Sequence, residues 1–537
     1  MSLVEGPVHE ETRATLYDDH DDDDELDDQD LEKPTPLPKF QLLSVFLIQL
    51  AEPITATVIY PFINQFVRET GITNGDEKKT GYYAGFIEST FFFSEALTVV
   101  QWGYLSDRYG RRPILLCGPL GLAFAMLFFG MSTTFWPLVA MRTLQGIFNG
   151  NIGVSKSMMA EMTDSTNRGD AFAYLPLIWG SGTTVGPIIG GLLSNPAGRW
   201  PDTLGHIAYL RSHPYFLPCA VAGIFSFATF LVSCFAMKET LPSIVARERL
   251  ERHRKLMSDD VVTEDSQLLL HGESQGYGTG DLSASHYSTS SSGSSTVAGQ
   301  SDSESSSPER KPDLQILFSR ALVVTLINNV FLSFLDMCHV TLLPLMYSTS
   351  IPLGGLGLDP FSIGLVLGGS GALNAIAQAK FLGRFIRKYG AGKVYKVSFS
   401  CIIVCFIMYP LMSFFAKRAG RVDGFVIACM AVQLFFQSMI YAAYGSLQVL
   451  LVETVPEGGP MATVNGVAQM LGSGTRSFAP TFASSLFSIS LQEGLAGGNM
   501  VYYIILGITL AGIRCTALLP KKRRRSKRRS QQQSSSS

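Results

Sequence analysis

Glu52, Glu88, Glu95, Arg142, Asp336 and His339 all stand inside long apolar stretches. Moving an ion from water into a low-dielectric interior costs several kcal/mol on most estimates. Side chains of this kind in such places are therefore candidates for binding, pairing or proton carriage. Desolvation penalises the anion of a carboxyl, so a buried one can hold a proton at neutral pH and release it when a cation arrives. By this logic the four acidic residues are candidate proton- and cation-handling groups. Arg142 needs an acidic partner, for which Glu52 and Glu95 are the candidates. An imidazole titrates near neutrality, which adds His339 as a further proton-handling candidate.

Spacing refines this reading. Glu88 and Glu95 are seven residues apart, two helical turns, and so share a helix face. Asp336 and His339 are three apart and also share one. Glu52 lies roughly 18 Å into its apolar stretch at about 1.5 Å per residue, near the middle of a hydrocarbon layer about 30 Å thick. Aligning Pro61 with Pro344 puts Asp336 one position from the counterpart of Glu52, so these two carboxylates are expected to face each other. The eight cysteines are dispersed, with neither zinc-ligand spacing nor a disulfide framework. Neither a phosphate-binding glycine loop nor a nucleophile elbow occurs. The expectation is a non-enzyme without metal, cofactor or nucleic-acid partner.

The elements that must position these groups are membrane spans. Only 16% of the 537 residues are charged, against about 25% in soluble domains, and mean hydropathy is +0.22. Twelve apolar runs are expected at about 40–64, 81–104, 113–133, 135–160, 169–194, 214–237, 320–347, 360–384, 394–416, 424–452, 461–490 and 500–519. The fold class is an all-α polytopic membrane protein. Its expected parts are an acidic, disordered cytosolic head (1–39), a six-helix half (40–237), a disordered Ser-rich cytosolic linker (238–313), a second six-helix half (314–519) and a basic cytosolic tail (520–537). Lys and Arg are retained on the cytosolic side. Arg108, Arg111, Arg112 and the run Lys521 to Arg529 therefore place both termini in the cytosol.

The halves carry traces of duplication. Gly383 to Gly390 after span eight repeats the glycine spacing and Tyr-Gly ending of Gly103 to Gly110 after span two. Gly472-Ser473-Gly474-Thr475 repeats Gly180-Ser181-Gly182-Thr183. Arg387 replaces Asp107 in the second copy, so the halves cannot make the same contact at that end.

Trp102 to Pro113 concentrates charge and two glycines in what reads as a tight turn between spans two and three. Gly103, Asp107, Arg108, Gly110, Arg111 and Arg112 match the G-x-L-S/A-D-R/K-x-G-R-R/K signature, and this stretch resembles loop 2–3 of the major facilitator superfamily. Gly182, Gly186, Pro187, Gly190 and Gly191 in span five resemble the G-x-x-x-G-P-x-x-G-G motif of its proton-coupled drug exporters. Arg142, Gln145 and Gly146 resemble the R-x-x-Q-G core of its span-four motif.

The resemblance covers about 40–519 and is to the twelve-span drug:proton antiporters of fungal type. It extends to the zinc-induced-facilitator-like and tetracycline-exporter branches, although Ala173 stands where the former carries a serine. It implies two pseudo-symmetric six-helix halves and a monomeric, secondary carrier of a small organic solute or a metal chelate. It also implies multidrug export by proton antiport, with Arg142 assisting proton coupling and Asp107 capping the cytosolic start of span eleven in the outward-facing state. A uniporter or symporter of the same fold and a non-transporting solute sensor remain open.

Glu264-Asp265-Ser266-Gln267-Leu268-Leu269 looks like an acidic dileucine sorting signal. It points to a sorting-adaptor contact at Glu264, Leu268 and Leu269 and favours the vacuolar over the plasma membrane. Asp107→Asn is expected to slow transport at least tenfold while leaving substrate affinity within about threefold, since it weakens the conformational switch rather than the binding site. Paired flux and binding assays check this.

Overall fold

The computed structural model describes residues 38–163, 167, 171, 174–258, 319–454 and 461–519. The acidic head, the sorting signal at Glu264, Leu268 and Leu269, the Ser-rich stretch and the basic tail lie outside the described residues. What is described forms two helical halves. In the first are α1 (Lys39–Thr57), α2 (Ile63–Glu69), α3 (Thr80–Tyr109), α4 (Arg111–Met131), α5 (Phe135–Asn149), α6 (Ile152–Glu161), α7 (Leu175–Leu193), α8 (Phe216–Ala236) and α9 (Pro242–Ser258). The second holds α10 (Arg320–Ser348), α11 (Pro360–Ala377), α12 (Gly383–Tyr389), α13 (Ala391–Ala419), α14 (Gly424–Thr454), α15 (Met461–Gln492) and α16 (Met500–Thr516). The first span is α1 continued by α2, the fourth is α5 with α6, and the eighth is α11 joined to α12 through a π-helical stretch, Gln378–Leu382.

Seven helices among the described residues are long and apolar enough to cross a bilayer by composition alone: α1, α4, α8, α10, the run Pro360–Tyr389, α13 and α14. The remaining spans fall short for physical reasons. α3 carries Glu88 and Glu95, and α15 carries Arg476 and a series of serines. α7 and α16 are apolar but short, and the fourth span is interrupted at Gly150–Asn151. The polar positions that weaken these spans as membrane signals are largely those that line the centre of the molecule.

The turn expected over Trp102 to Pro113 is much tighter than the sequence suggests. α3 continues through the signature to Tyr109 and α4 begins at Arg111, leaving Gly110 as the whole connection. Gly110 takes φ +106°, a conformation that favours glycine. Gly390, with φ +82°, makes the same one-residue turn between α12 and α13. The duplication is thus expressed in backbone geometry as well as in residue spacing. The segment expected as a disordered linker from 238 opens instead with α9, which starts at Pro242 and carries an Arg247–Glu251 pair at 3.0 Å, spaced by one helical turn.

Each half has its own apolar core. One pair of clusters is built from first-half residues such as Val58, Phe62, Phe129 and Tyr215, and Val45, Leu115 and Met158. The other pair is built from Leu335, Leu342, Tyr347, Phe399 and Tyr409, and Leu322 and Val464. Phe92 on α3 is the first-half side chain packed against the large second-half cluster. Large apolar side chains such as Phe40, Val100 and Phe235 are more than two-thirds exposed on the outer surface, as a lipid-facing belt requires.

The halves meet tightly at the end remote from the Gly110 turn. There Gly191 of α7 lies against Gly364 of α11, so close that a β-carbon on Gly364 would sit 2.6 Å from Gly191 Cα. Thr184 and Ile188 approach Gly371 and Gly368 along the same seam. Between α3 and α15, Thr481 donates its amide (3.0 Å) and its hydroxyl (2.8 Å) to Ser89 Oγ. Pro480 interrupts the α15 ladder beside this bond. Tyr82 donates to Gln492 Oε1 at 3.2 Å, and Arg68 pairs with Glu77 at 2.8 Å while also donating to Ser348 O. Toward the other end, Gly103, Gly466 and Gly474 have open space where a side chain would project. Among the described residues, the contacts between the halves concentrate toward the end remote from Gly110.

Gly364→Ala forces two backbones apart at the far-end seal, and overpacking of this sort costs about 1–3 kcal/mol. The expected outcome is a shift of roughly 5- to 150-fold toward the oppositely open state, at about 1.4 kcal/mol per tenfold. Spin-label distances between the far ends of α7 and α11 read that shift directly.

Candidate functional site

Arg142 is fully buried on α5. Its Nη2 donates to Glu88 Oε2 at 3.1 Å, to Glu88 Oε1 at 3.2 Å and to Ala56 O at 3.1 Å, while Nη1 donates to Gln145 Oε1 at 2.8 Å. The guanidinium stacks 4.3 Å from the Phe91 ring centroid, and Tyr60 OH donates to Glu88 Oε1 at 2.9 Å. This cluster ties spans one, two and four together. It also corrects the expected partner, which is Glu88 rather than Glu52 or Glu95. Depth explains the choice. Arg142 lies seven residues from the far-end start of α5 and Glu88 eight from that of α3, about 10 and 12 Å in, whereas Glu95 lies about 22 Å in.

A second group sits deeper. Glu52 and Glu95 are both buried, and their charges interact. Asn149 donates to Glu52 Oε1 at 2.9 Å. It is the last residue of α5, at the break made by Gly150 and Asn151. The sequence reading missed Asn149, although the Asn149-Gly150-Asn151 run was a visible helix-breaking signal. Across the seam, Asp336 on α10 accepts from Tyr444 OH at 3.2 Å. Arg476 on α15 donates to Ser473 Oγ at 3.0 Å and lies 5.9 Å from the Phe92 ring centroid. It is within electrostatic reach of Glu52, Glu95 and Asp336.

Two expectations about the second half change. Glu52 and Asp336 make no direct bond with each other, each being engaged by its own half, with the Arg476 charge acting on both. His339 does not join Asp336. It is fully buried, bonded through Nδ1 to Tyr409 OH at 3.0 Å and edge-on to Phe406. Three positions along a helix leave roughly a 60° offset. Here that suffices to turn His339 into the core of its own half.

The loop 2–3 signature forms a separate polar cluster at the Gly110 end. Asp107 is largely exposed and pairs with Arg111 at 2.6 Å, and among the described residues it has no bond to α15. Arg111 also pairs with Glu161 at 3.0 Å, and Glu161 accepts from Thr240 Oγ1 at 2.6 Å. Glu239 accepts the backbone N–H groups of Arg111 (2.8 Å) and Arg112 (3.1 Å), neutralising the α4 N-terminus. Arg112 donates to Cys234 O at 2.8 Å, and Arg108 lies over the ring of its neighbour Tyr109. Neither Glu161 nor Glu239 is singled out by the sequence reading. The sequence cue for Glu239 was its place just beyond span six.

The span-five motif is a packing device. Gly182, Gly186 and Gly190 present bare backbone to Pro53, Thr57 and Val58 of the first span, and Gly191 and the Pro187 carbonyl meet Gly364. One face of α7 thus grips its own half while the adjoining face seals against the other.

The family model of the Major Facilitator Superfamily matches residues 45–480. The chain belongs to that superfamily. Among curated relatives, the major facilitator-type transporter psiT2 of Psilocybe cyanescens is 30% identical over 502 residues, covering 91% of this chain and 92% of the relative. Zinc induced facilitator 1 of Arabidopsis thaliana is 28% identical over 484 residues, covering 89% and 91%. The solved D-xylose-proton symporter superposes with TM-score 0.61 at 15% identity, covering 90% of this chain and 98% of the symporter, a likeness of fold. This superfamily member is a multi-pass membrane transporter, not an enzyme, with twelve spans in two pseudo-symmetric halves.

Glu88→Ala leaves the Arg142 guanidinium buried without its carboxylate, and removing one member of a buried ion pair costs about 3–5 kcal/mol. The expected outcome is a large loss of thermal stability in detergent, with most of it recovered in the Glu88→Leu, Arg142→Met double variant. Unfolding curves of the three proteins make the comparison.

Proposed function

We propose that this carrier exports or sequesters a small organic solute or a metal chelate by proton antiport, cycling between two oppositely open states. The observation that carries the reading is the charge group at mid-depth between separately packed halves. Glu52 and Glu95 come from one half, Asp336 and Arg476 from the other, and in this reading they line the transport chamber. The positive residues at the Gly110 end support a cytosolic assignment of that end, and in this reading the present conformation is inward-open.

In this reading a deprotonated Glu52 attracts a cationic solute from the cytosolic chamber. Binding draws the halves together over it and opens the far-end seal of Gly191 with Gly364 and Ser89 with Thr481. A proton from the other side then displaces the solute, and the neutralised site returns. Glu88 and Arg142 lie closer to the far end than Glu52 and serve as the fixed pair past which that proton passes. In the outward-facing state Asp107 exchanges its contact with Arg111 for the α15 N-terminus. A vacuolar membrane and a monomeric state accompany the proposal.

Proteoliposomes loaded with a pH-sensitive dye test the reading, with organic cations, organic anions and metal chelates added singly. Solute-triggered proton movement in the opposite direction supports antiport. Flux indifferent to the proton gradient would identify a facilitator, proton movement with the solute a symporter, and binding without flux a sensor. Glu52→Gln is expected to retain solute exchange and lose at least about nine-tenths of proton-driven accumulation. Undiminished proton-driven transport in that variant removes Glu52 from the coupling.

A further inference from the structure

Arg142, fully buried, and Arg476, half-buried between helices, are treated differently. Arg142 has a carboxylate at 3.1 Å, a carbonyl and an amide oxygen, and an aromatic face. Arg476 has no carboxylate within 4.0 Å among the described residues, and its named partner is the neutral hydroxyl of Ser473. Its Nε is buried and without a hydrogen-bond partner. A guanidinium presents five N–H donors in one plane and binds carboxylates two-pronged. At mid-membrane depth, leaving the buried Nε unmatched is costly. Arg476 stands 15 residues into α15, about 22 Å along it, so neither helix end offers a neutralising terminus.

The neighbouring acids are near in charge but not in contact. Glu52 is held by Asn149 and Asp336 by Tyr444, each within its own half. The Arg476 field reaches Glu52, Glu95 and Asp336, and Lys156 on α6 adds a second positive field at Glu52 and Glu95. The ring of Phe92 flanks the guanidinium. Taken as chamber lining, Arg476 of the second half offers an unmet donor within electrostatic reach of the Glu52 and Glu95 pair of the first.

We infer that this chamber takes a zwitterion, whose anionic group docks on the free guanidinium edge of Arg476 while its ammonium group is received by Glu52 and Glu95. The inference rests on the reading of the chamber as the transport site and narrows the substrate class within it. A simple cation satisfies the acids but leaves the fork unmatched beside a like charge. A simple anion satisfies the fork but faces three carboxylates. A solute carrying both charges satisfies both walls, and it is bound fully only when the halves approach, because the walls belong to different halves.

Matched pairs differing by one carboxylate test this on the full chain in detergent: phenylalanine with phenethylamine, histidine with histamine, arginine with agmatine. Binding is read as the concentration giving half-maximal thermal stabilisation, for the wild type, Arg476→Gln and Arg476→Lys. The expected result is that at least one amino acid binds ten or more times tighter than its amine, with the ratio falling to about one in Arg476→Gln and partly restored in Arg476→Lys. Amines that bind as tightly as their amino acids overturn the inference, as does an absence of binding by every amino acid. An equal loss for both members of a pair in Arg476→Gln marks Arg476 as a counter-ion of the acidic pair and overturns it too. Proton movement in liposomes is scored separately. Arg476-dependent zwitterion binding without proton movement retains the inference and removes antiport; amine-driven proton exchange unaffected by Arg476→Gln does the reverse.

Discussion

Burying Arg142 at membrane depth constrains the whole first half. Its charge is tolerable because Glu88 supplies two oxygens, Ala56 a carbonyl, Gln145 an amide oxygen and Phe91 a ring face. Meeting those contacts together fixes the first, second and fourth spans in register and rotation. The α7 glycines then dock on the first span, whose surface at Pro53, Thr57 and Val58 is already set. The electrostatic requirement at one residue is passed on as steric definition to the helix that seals the far end.

The seam between the halves follows different physics. Its contacts are glycine backbones, hydroxyl hydrogen bonds and the Arg68 guanidinium donating to Ser348 O, and Phe92 is the first-half side chain packed on the large second-half core. Short hydroxyl bonds and backbone contacts can be broken and remade without creating cavities of the kind that a separated apolar core leaves. Separate apolar cores within the halves and an interface of close backbone approaches and hydroxyl bonds between them are the combination that rigid-body motion requires.

The sequence revealed the fold class because span length and the two signatures are local properties. It also identified the charged positions, since an ion in an apolar run needs no tertiary information to be noticed. It failed on pairings. Arg142 chose Glu88 over Glu95 because of relative depth, and His339 left Asp336 through a modest angular offset, both decided by how helices slide and rotate against one another. Asn149 and Glu239 were missed because neither a neutral amide nor an acid just outside a span violates a membrane rule. Asp107 was assigned a partner appropriate to the other conformation, a distinction that a single sequence, which encodes both, does not make.

Separate cores also bear on how such a chain is made. Each half's large apolar side chains are satisfied almost entirely by partners from the same half. During synthesis the first six spans can therefore reach their packed state before the second six leave the ribosome, since domains generally fold as units with the N-terminal one first. The long stretch between them then gives the second half time and reach to insert beside a finished template rather than fold jointly with it. In biogenesis, the seam at Gly191 and Gly364 is thus the last surface to form.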